Sequence, residues 1–167
     1  MSRAGPRDVE ADALLRPVGG ELEAVTPFAR EVELAAGAEV VERLHRMEEL
    51  PVGAAAVTPG GDLSTPFLIH AVVQTRDDPP SVSTVSRALR NGLRRAAEWD
   101  LEAVALSPLG TGAGALQPEE AATTMLDAVA EFAQEFGRAP ELIFLVGSDY
   151  EEDVFRRAIE RHGGGQA

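Results

Sequence analysis

The residues best suited to bind a ligand lie in one glycine-rich segment, residues 106–116, with the sequence LSPLGTGAGAL. Its glycines let backbone N–H groups approach and surround an anion such as phosphate. The apolar run 103–106 before it is typical of a buried strand, and Pro118 followed by two glutamates is typical of a helix start. Because a helix N-terminus favours negative charge, strand, loop and helix together predict an anion-binding site. A tight strand-to-helix turn, which needs glycine for its backbone angles, is the alternative.

The composition limits the partners of this chain. With 167 residues, 44% of them hydrophobic, the chain is long enough for one domain with a substantial core. Its net charge of −13 argues against nucleic acid or an anionic membrane as the main partner. An anionic ligand would therefore have to be held by local backbone donors, and the glycine-rich segment offers such donors.

The sequence also lacks the residues for several kinds of chemistry. There is no cysteine, which excludes disulfides and thiolate catalysis. The three histidines, His45, His70 and His162, do not have the spacing of metal ligands, so we predict no metal and no cofactor. Ser107 has neither a base partner nor a nucleophile elbow around it, and we predict no catalytic residue. With no signal-like or membrane-spanning apolar segment, the expected location is the cytoplasm.

Apolar patterns place the glycine-rich segment among alternating strands and helices. The predicted strands are 11–18, 54–58, 67–74, 103–109 and 141–147. The predicted helices are 27–36, 38–47, 81–99, 118–136 and 151–162. This alternation predicts an α/β fold with a mixed, largely buried sheet. We expect one domain over 11–162, a short N-terminal extension at 1–10 and a flexible C-terminal tail at 163–167.

Four blocks, in the same order along the chain, resemble the macro domain family. Residues 52–63 and 67–72 resemble its pair of strands, 87–98 its central helix and 105–114 its ligand loop. The resemblance implies a three-layer α/β/α sandwich around a mixed central sheet. It also implies binding of ADP-ribose or a related nucleotide, and some family members hydrolyse ADP-ribosyl or O-acetyl-ADP-ribose esters.

The resemblance further implies which residues would contact such a ligand. The ligand loop would supply most contacts, an aromatic residue after the last strand would cover the adenine, and an acid near the first strand would pair with the adenine amino group. Carried over to this sequence, the predicted ligand-binding residues are Ser107, Leu109, Gly110, Thr111, Gly112, Ala113, Gly114, Val18, Tyr150 and Asp12. For Tyr150 the alternative is surface packing, and for Asp12 it is simple solvation.

This sequence departs from the family pattern in four places. The acid that pairs with the adenine amino group has no clear equivalent, because a direct register places Gly5 there and Asp8 fits only with a shorter turn. Arg16 and Gly19 stand where the family has two asparagines, the second of which orients the distal ribose in hydrolytic members. The family's next glycine-rich loop is replaced by residues 25–28, where Pro27 lacks an N–H donor and Phe28 adds bulk. The family's first strand has no counterpart in residues 1–6. Apolar residues 142–146 would then form a bare sheet edge, which we expect the N-terminal residues, a loop or a second subunit to cover.

Other candidate groups are interpreted as structural or as solvated surface. His70 ends a strand at a position that is structural in the family, and the other two histidines lie on helices as surface residues. Three arginines form a stripe on the helix over 81–99 and could contact nucleic acid. At this net charge, however, a solvated face paired with local acids is the better interpretation of Arg87, Arg90 and Arg94.

Three functions follow as hypotheses. The leading one is a macro-like module that binds ADP-ribose or another small anionic nucleotide through the loop 107–115, without hydrolase activity. The second is a degenerate macro fold that has no ligand and acts in protein–protein assembly, for instance as a homodimer. A hydrolase of ADP-ribosyl or O-acetyl-ADP-ribose esters ranks last, because the asparagines and the first glycine-rich loop are absent.

Overall fold

The computed structural model of this protein describes residues 1–112 and 115–164. Its strands are β1 (Ala13–Val18), β2 (Ala55–Pro59), β3 (Phe67–Val72), β4 (Ala103–Leu106) and β5 (Glu141–Phe144). Its α-helices are α1 (Pro27–Ala36), α2 (Ala38–Arg46), α3 (Val82–Glu98), α4 (Pro118–Phe136) and α5 (Asp149–Gly164), and a short 3₁₀ helix spans Pro6–Asp8. Within the described ranges, none of the helices is both long and apolar enough to cross a membrane.

The strands form one mixed sheet in the order β2-β3-β1-β4-β5. Central β1 runs parallel to β3 and β4, β5 runs parallel to β4, and β2 is antiparallel to β3. The carboxyl ends of the four parallel strands therefore lie at the same edge of the sheet, which is where open α/β sheets bind ligands. The five predicted strands are confirmed. β3, β4 and β5 end earlier than predicted, because Val73, Leu109 and Val146 stay buried after the strand pairing has stopped.

Both faces of the sheet are covered by helices. Along β1, Ala13 and Leu15 pack into the hydrophobic layer beneath α3, α4 and α5, whereas Leu14 and Val18 pack into the layer beneath α1 and α2. A strand that is buried on both faces reads as a continuous apolar run, and this explains the sequence of β1. The predicted three-layer α/β/α sandwich with a mixed sheet is confirmed.

The helix ends follow from local hydrogen bonds. α1 begins where the Thr26-Pro27 pair predicts, and the Thr26 hydroxyl oxygen accepts from the Ala29 N–H at 3.1 Å. α3 begins with a capping box between Ser81 and Thr84. α5 runs to Gly164, which is two residues beyond the predicted end at 162 and inside the predicted tail; residues 165–167 lie outside the described part of the chain.

The N-terminal residues pack against the sheet edge that the missing first strand leaves open. The Ser2 N–H donates to the Phe144 carbonyl at 2.9 Å, and the Val146 N–H donates to the Ser2 carbonyl at 3.0 Å. Pro6 and Val9 are buried a few residues later. Of the three expected covers for the β5 edge, the N-terminal residues are thus present, as one bridge between Ser2 and Leu145 rather than as a strand.

Candidate ligand-binding site

A cavity of ≈ 420 Å³ lies at the edge of the sheet where β4 and β5 end. One wall is the start of α1 and another is the N-terminal segment 3–5. The floor comes from the residues that follow β4 and β5. The lining residues are Arg3, Ala4, Gly5, Thr26, Pro27, Phe28, Glu31, Ser107, Pro108, Thr111, Leu145, Val146, Gly147 and Glu151. The volume lies in the range of small-molecule sites, about 300–1,000 Å³.

Ser107 contributes an unusual group to this cavity. Its side chain is 3% exposed, and its hydroxyl oxygen has no hydrogen-bond partner among the described residues. Leaving a buried hydroxyl unpaired costs about 1–3 kcal/mol, so such a group calls for an explanation. Ser107 lines the cavity, and rotation of its side chain toward the cavity would let a polar ligand atom supply the missing partner.

The two residues after Pro108 are held by the core. Leu109 is fully buried, and its N–H points at the Met125 sulfur at 3.4 Å. Gly110 has φ +81°, and a Cβ there would lie 2.6 Å from Val85 Cγ2. Its carbonyl accepts from the Leu116 N–H at 2.8 Å. The sequence allowed two interpretations of this loop, an anion-binding loop and a tight strand-to-helix turn. For Leu109 and Gly110, burial and backbone angles favour the tight turn.

The remaining loop residues divide into two groups. Thr111 lines the cavity beside Ser107. Gly112 is half-buried, and a Cβ there would lie 2.8 Å from the Val25 carbonyl oxygen, so the loop touches the chain just before α1. The predicted contacts at Ala113 and Gly114 lie outside the described residues.

The three predicted ligand residues outside the loop, Asp12, Val18 and Tyr150, lie away from the cavity lining. Asp12 precedes β1 at the opposite edge of the sheet, and its carboxylate accepts from the backbone N–H groups of Glu102 at 2.8 Å and Ala103 at 2.9 Å. This corrects the prediction for Asp12: because β1 and β4 are parallel, a residue before β1 cannot reach the edge where both strands end. Val18 is fully buried in the core and is likewise not a lining residue.

Tyr150 follows β5 as predicted but points elsewhere. It is 56% exposed, and its hydroxyl donates to the carboxylate of Glu119 on α4. This hydrogen bond raises the pKa of the Tyr150 hydroxyl and lowers the pKa of the Glu119 carboxyl. Its neighbour Glu151 lines the cavity instead, and accepts from the Gly147 N–H at 2.8 Å.

Sequence reasoning missed several lining residues. Phe28 and Glu31 lie on the first turns of α1, and Leu145 and Val146 follow β5. Leu145 and Val146 could have been predicted from the rule that ligands bind beyond the carboxyl ends of parallel strands. Arg3 gave no signal at all, since only the bridge at Ser2 brings the N-terminal segment to this edge.

An anionic ligand in this cavity would be bound by neutral hydrogen-bond donors of the protein and not by a free cationic side chain. Glu31 and Glu151 line it, together with Arg3. The Arg3 guanidinium is bonded to Asp149 and, at 2.9 Å, to Glu152, and these hydrogen bonds raise its pKa. An anionic group would depend on the first-turn N–H groups of α1 and on nearby hydroxyls. Pro27 has no N–H, and the N–H groups of Ala29 and Arg30 are bound to Thr26, so the Phe28 N–H is the first-turn donor without a partner among the described residues.

A fully buried arginine lies behind this wall. The Arg16 guanidinium donates to Glu33 Oε1 at 2.8 Å, to the Leu22 carbonyl at 3.1 Å and to the Ala29 carbonyl at 3.2 Å. Its Nε donates to His70 Nδ1 at 2.9 Å. Burial lowers the pKa of Arg16, and the hydrogen bond to Glu33 opposes that effect. In the sequence, Arg16 was noted only because it replaces an asparagine of the family. Its role as a buried hydrogen-bond donor to four groups was not predicted.

His70 has the structural role expected for it. Because Arg16 donates to Nδ1, the ring carries its proton on Nε2 and donates it to the Thr58 hydroxyl oxygen at 2.8 Å. Burial and, to a lesser degree, the charge of Arg16 lower the pKa of His70 well below its ordinary value.

The other titratable candidates are surface groups. His45 is exposed, and His162 bonds to Asp127 at 2.7 Å, which raises the pKa of its ring. The arginine stripe contacts its own surroundings: Arg90 lies 3.5 Å from Glu131, and the Arg94 guanidinium lies over the Phe136 ring.

Comparison with known proteins gives relatives along nearly the whole chain. An uncharacterized protein of Aeropyrum pernix is 31% identical over 165 residues, which cover 93% of this chain and 84% of that protein. An uncharacterized protein of Mycobacterium tuberculosis is 28% identical over 160 residues, or 96% of this chain. The chain spans 44% of the length of the mycobacterial relative, so it corresponds to a part of that protein.

Solved structures agree with the fold. The Oceanobacillus iheyensis macrodomain with ADP superposes with a TM-score of 0.83, covers 94% of this chain and 87% of its own, and is 22% identical. This likeness concerns the fold alone. The macro domain model matches residues 21–125, which is more than half of the sequence. This chain therefore belongs to the macro domain family.

Proposed function

We propose that this protein binds ADP-ribose or a related anionic nucleotide in the cavity beside Ser107, without hydrolysing it. Macro domains generally bind ADP-ribose, and the cavity lies at the edge of the sheet where ligands of α/β proteins bind. The observation that carries the proposal is the buried Ser107, which lines the cavity and whose hydroxyl has no partner among the described residues.

The lining supports a nucleotide in one orientation. Apolar groups from Ala4, Leu145 and Val146 form the end beside β5, which suits a flat base. The polar end lies between Thr111 and the start of α1, where the Phe28 N–H and the helix dipole favour a phosphate. With net charge −13, we expect neither nucleic acid nor an anionic membrane as a partner, and we expect a cytoplasmic protein.

Absence of hydrolysis is part of the proposal. Arg16 and Gly19 replace the family's two asparagines, and Arg16 is engaged in the buried network. At Gly19 there is no side chain to orient a ribose, and the end of the Glu23 side chain lies beside it. Release of acetate from O-acetyl-ADP-ribose by the purified protein would overturn this part of the proposal.

Calorimetric titration of the protein with ADP-ribose, ADP and inorganic phosphate tests the binding. We expect binding of ADP-ribose that is lost in Gly112→Glu, which puts a carboxylate next to Thr111. Thr123→Glu, on the exposed face of α4, adds the same charge away from the cavity and should leave the affinity unchanged. Because a side chain at 112 must displace the Val25 carbonyl, Thr111→Val serves as a milder second variant, with circular dichroism to check folding. No heat with any of the three compounds would reject the proposal.

Assembly is the second candidate, and one observation favours it. Ser2 forms a single bridge to the outer edge of β5 at Leu145, and among the described residues no strand pairs with that edge along Glu141–Phe144. An apolar edge with free backbone groups can pair with a second copy of the chain. Light scattering that gives the mass of a monomer at all concentrations would remove this candidate.

A further inference from the structure

The cavity is closed at its polar end by contact between two loops. Its lining starts at Thr26 on one side and at Thr111 on the other, and among the described lining residues none comes from 18–25. Just beyond Thr111, the Cβ position of Gly112 lies 2.8 Å from the Val25 carbonyl oxygen. The loop 19–25, which we call the β1–α1 loop, therefore lies against the loop after β4 and does not open into the cavity.

The β1–α1 loop is folded on itself. The Gly19 N–H donates to the Glu23 carbonyl, and the Leu22 N–H donates to the Gly19 carbonyl, both at 2.9 Å. The Ala24 N–H donates to Glu33 Oε1 at 3.2 Å, and Val18 pairs with Ala24 in a bridge. Three backbone donors of this loop, the N–H groups of Gly19, Leu22 and Ala24, are thus used inside the protein.

Arg16 fixes the loop from below. Its guanidinium bonds to the Leu22 carbonyl and to Glu33, the same carboxylate that receives the Ala24 N–H. A buried guanidinium is costly unless its donors are paired, and opening the loop would take the Leu22 carbonyl away from one of the Arg16 donors. The loop has therefore one favoured conformation, and that conformation is the closed one.

We infer that Arg16 is a positioning residue that keeps the β1–α1 loop out of the ligand site, so that the site recognises the nucleoside diphosphate part of its ligand and nothing attached beyond it. This rests on the proposed function and on the orientation given there. With the base at the apolar end and the phosphates beside α1, any group on the terminal phosphate has to pass outside the two loops that close the polar end, and no residue of 18–25 lines its path. The second sugar of ADP-ribose then adds no affinity.

Parallel calorimetric titrations of the full chain with ADP and ADP-ribose test this inference. We expect dissociation constants within about threefold of each other. Affinity for ADP-ribose that is tenfold or more above that for ADP would overturn the inference and leave the proposed function intact. Absence of binding by both compounds would overturn both.

The ratio of the affinities for ADP-ribose and ADP also tests the role of Arg16. Arg16→Lys keeps the charge but cannot reach Glu33, His70 and the Leu22 carbonyl together, because an ammonium lacks the planar fork of donors. We expect the affinity for ADP-ribose to rise at least threefold relative to that for ADP as the loop loosens. Arg95→Lys is the matched control, since Arg95 also donates to a backbone carbonyl but lies on α3. An unchanged ratio in folded Arg16→Lys would overturn the assignment of Arg16.

Hydrogen exchange gives a readout that does not depend on a variant. In the wild-type protein, ADP-ribose should slow amide exchange in peptides from 26–31 and 107–112 and leave 18–25 unchanged. Slower exchange by tenfold in 18–25 with ADP-ribose, but not with ADP, would show that the β1–α1 loop contacts the second sugar and would overturn the inference.

Discussion

At the scale of single residues, this fold treats two buried polar side chains in opposite ways. Arg16 is fully buried and uses its donors on Glu33, His70 and two carbonyls. Ser107 is nearly as buried, and its hydroxyl finds no partner among the described residues. A satisfied network stabilises one arrangement of its surroundings, whereas an unsatisfied group leaves a hydrogen bond for a ligand to make.

Ser107→Ala should separate stability from binding. Because the unpaired hydroxyl contributes nothing to the free protein, we expect the free energy of unfolding to stay the same or to rise by up to about 1 kcal/mol. The affinity for ADP-ribose should fall by about 1 kcal/mol, or roughly fivefold. Denaturant unfolding and calorimetry measure the two effects, with Ser83→Ala on the exposed start of α3 as control. A destabilised variant with unchanged affinity would contradict the expectation.

The buried ring of His70 predicts that acid destabilises the protein. Its pKa in the folded state is well below the ordinary value of 6.5, so the unfolded chain binds a proton that the folded one does not. This contribution to stability is complete above pH 6.5 and is lost below it, by up to about 1.4 kcal/mol per pH unit. His70→Asn keeps an acceptor for Arg16 but cannot titrate. Urea unfolding between pH 5 and 7 should show that the free energy of unfolding changes less with pH in that variant than in the wild type. An equal dependence on pH in the two proteins would reject His70 as the group responsible.

At the scale of elements, the loop after β4 is defined by its packing as much as by its glycines. Gly110 combines φ +81° with close contact to Val85 and Leu116, and Leu109 is inserted in the core. These constraints orient the following residues, so that Thr111 reaches the cavity and Gly112 meets Val25. Leu109 and Gly110 are thus held against α4 and α3.

A comparison of two glycines tests this packing. Gly110 and Gly137 have nearly equal φ, +81° and +82°, but a Cβ at Gly137 meets nothing within 4 Å. Gly137→Ala should cost about 1 kcal/mol for the left-handed backbone alone. Gly110→Ala adds overlap with Val85 and should cost about 2–4 kcal/mol. Thermal and urea unfolding measure the free energy of unfolding of both variants. Equal decreases in the two variants would mean that packing at Gly110 does not contribute to stability.

At the scale of the whole molecule, the N-terminal segment links the sheet edge to the cavity. Ser2 bridges to β5, Arg3 bonds to α5, and residues 3–5 form a wall of the cavity. One short segment therefore protects an apolar edge and shapes the site. Without it, the Phe144 carbonyl and the Val146 N–H would add to the free backbone groups that this edge presents to another chain.

Ser2→Pro tests this protection. Proline cannot donate to the Phe144 carbonyl, so the bridge to β5 is weakened and the edge becomes open to pairing. We expect more self-association than in Ser2→Ala, which keeps the backbone N–H. Sedimentation velocity over a range of protein concentrations measures the difference, and identical behaviour of the two variants would show that the Ser2 bridge does not protect the edge.

The sequence by itself determined the elements, their order and the class of fold. Apolar periodicity and helix caps depend on neighbouring residues, so the strands, the start of α1 at Thr26-Pro27 and the two-sided burial of β1 could be predicted. The position of the glycine-rich segment after β4 followed from the same local pattern. Only the tertiary structure decided which side chains meet, since that depends on strand order and direction. The parallel pairing of β1 and β4 puts Asp12 at the far edge, and packing of α1 on β1 turns Arg16 into the link between His70, Glu33 and the β1–α1 loop.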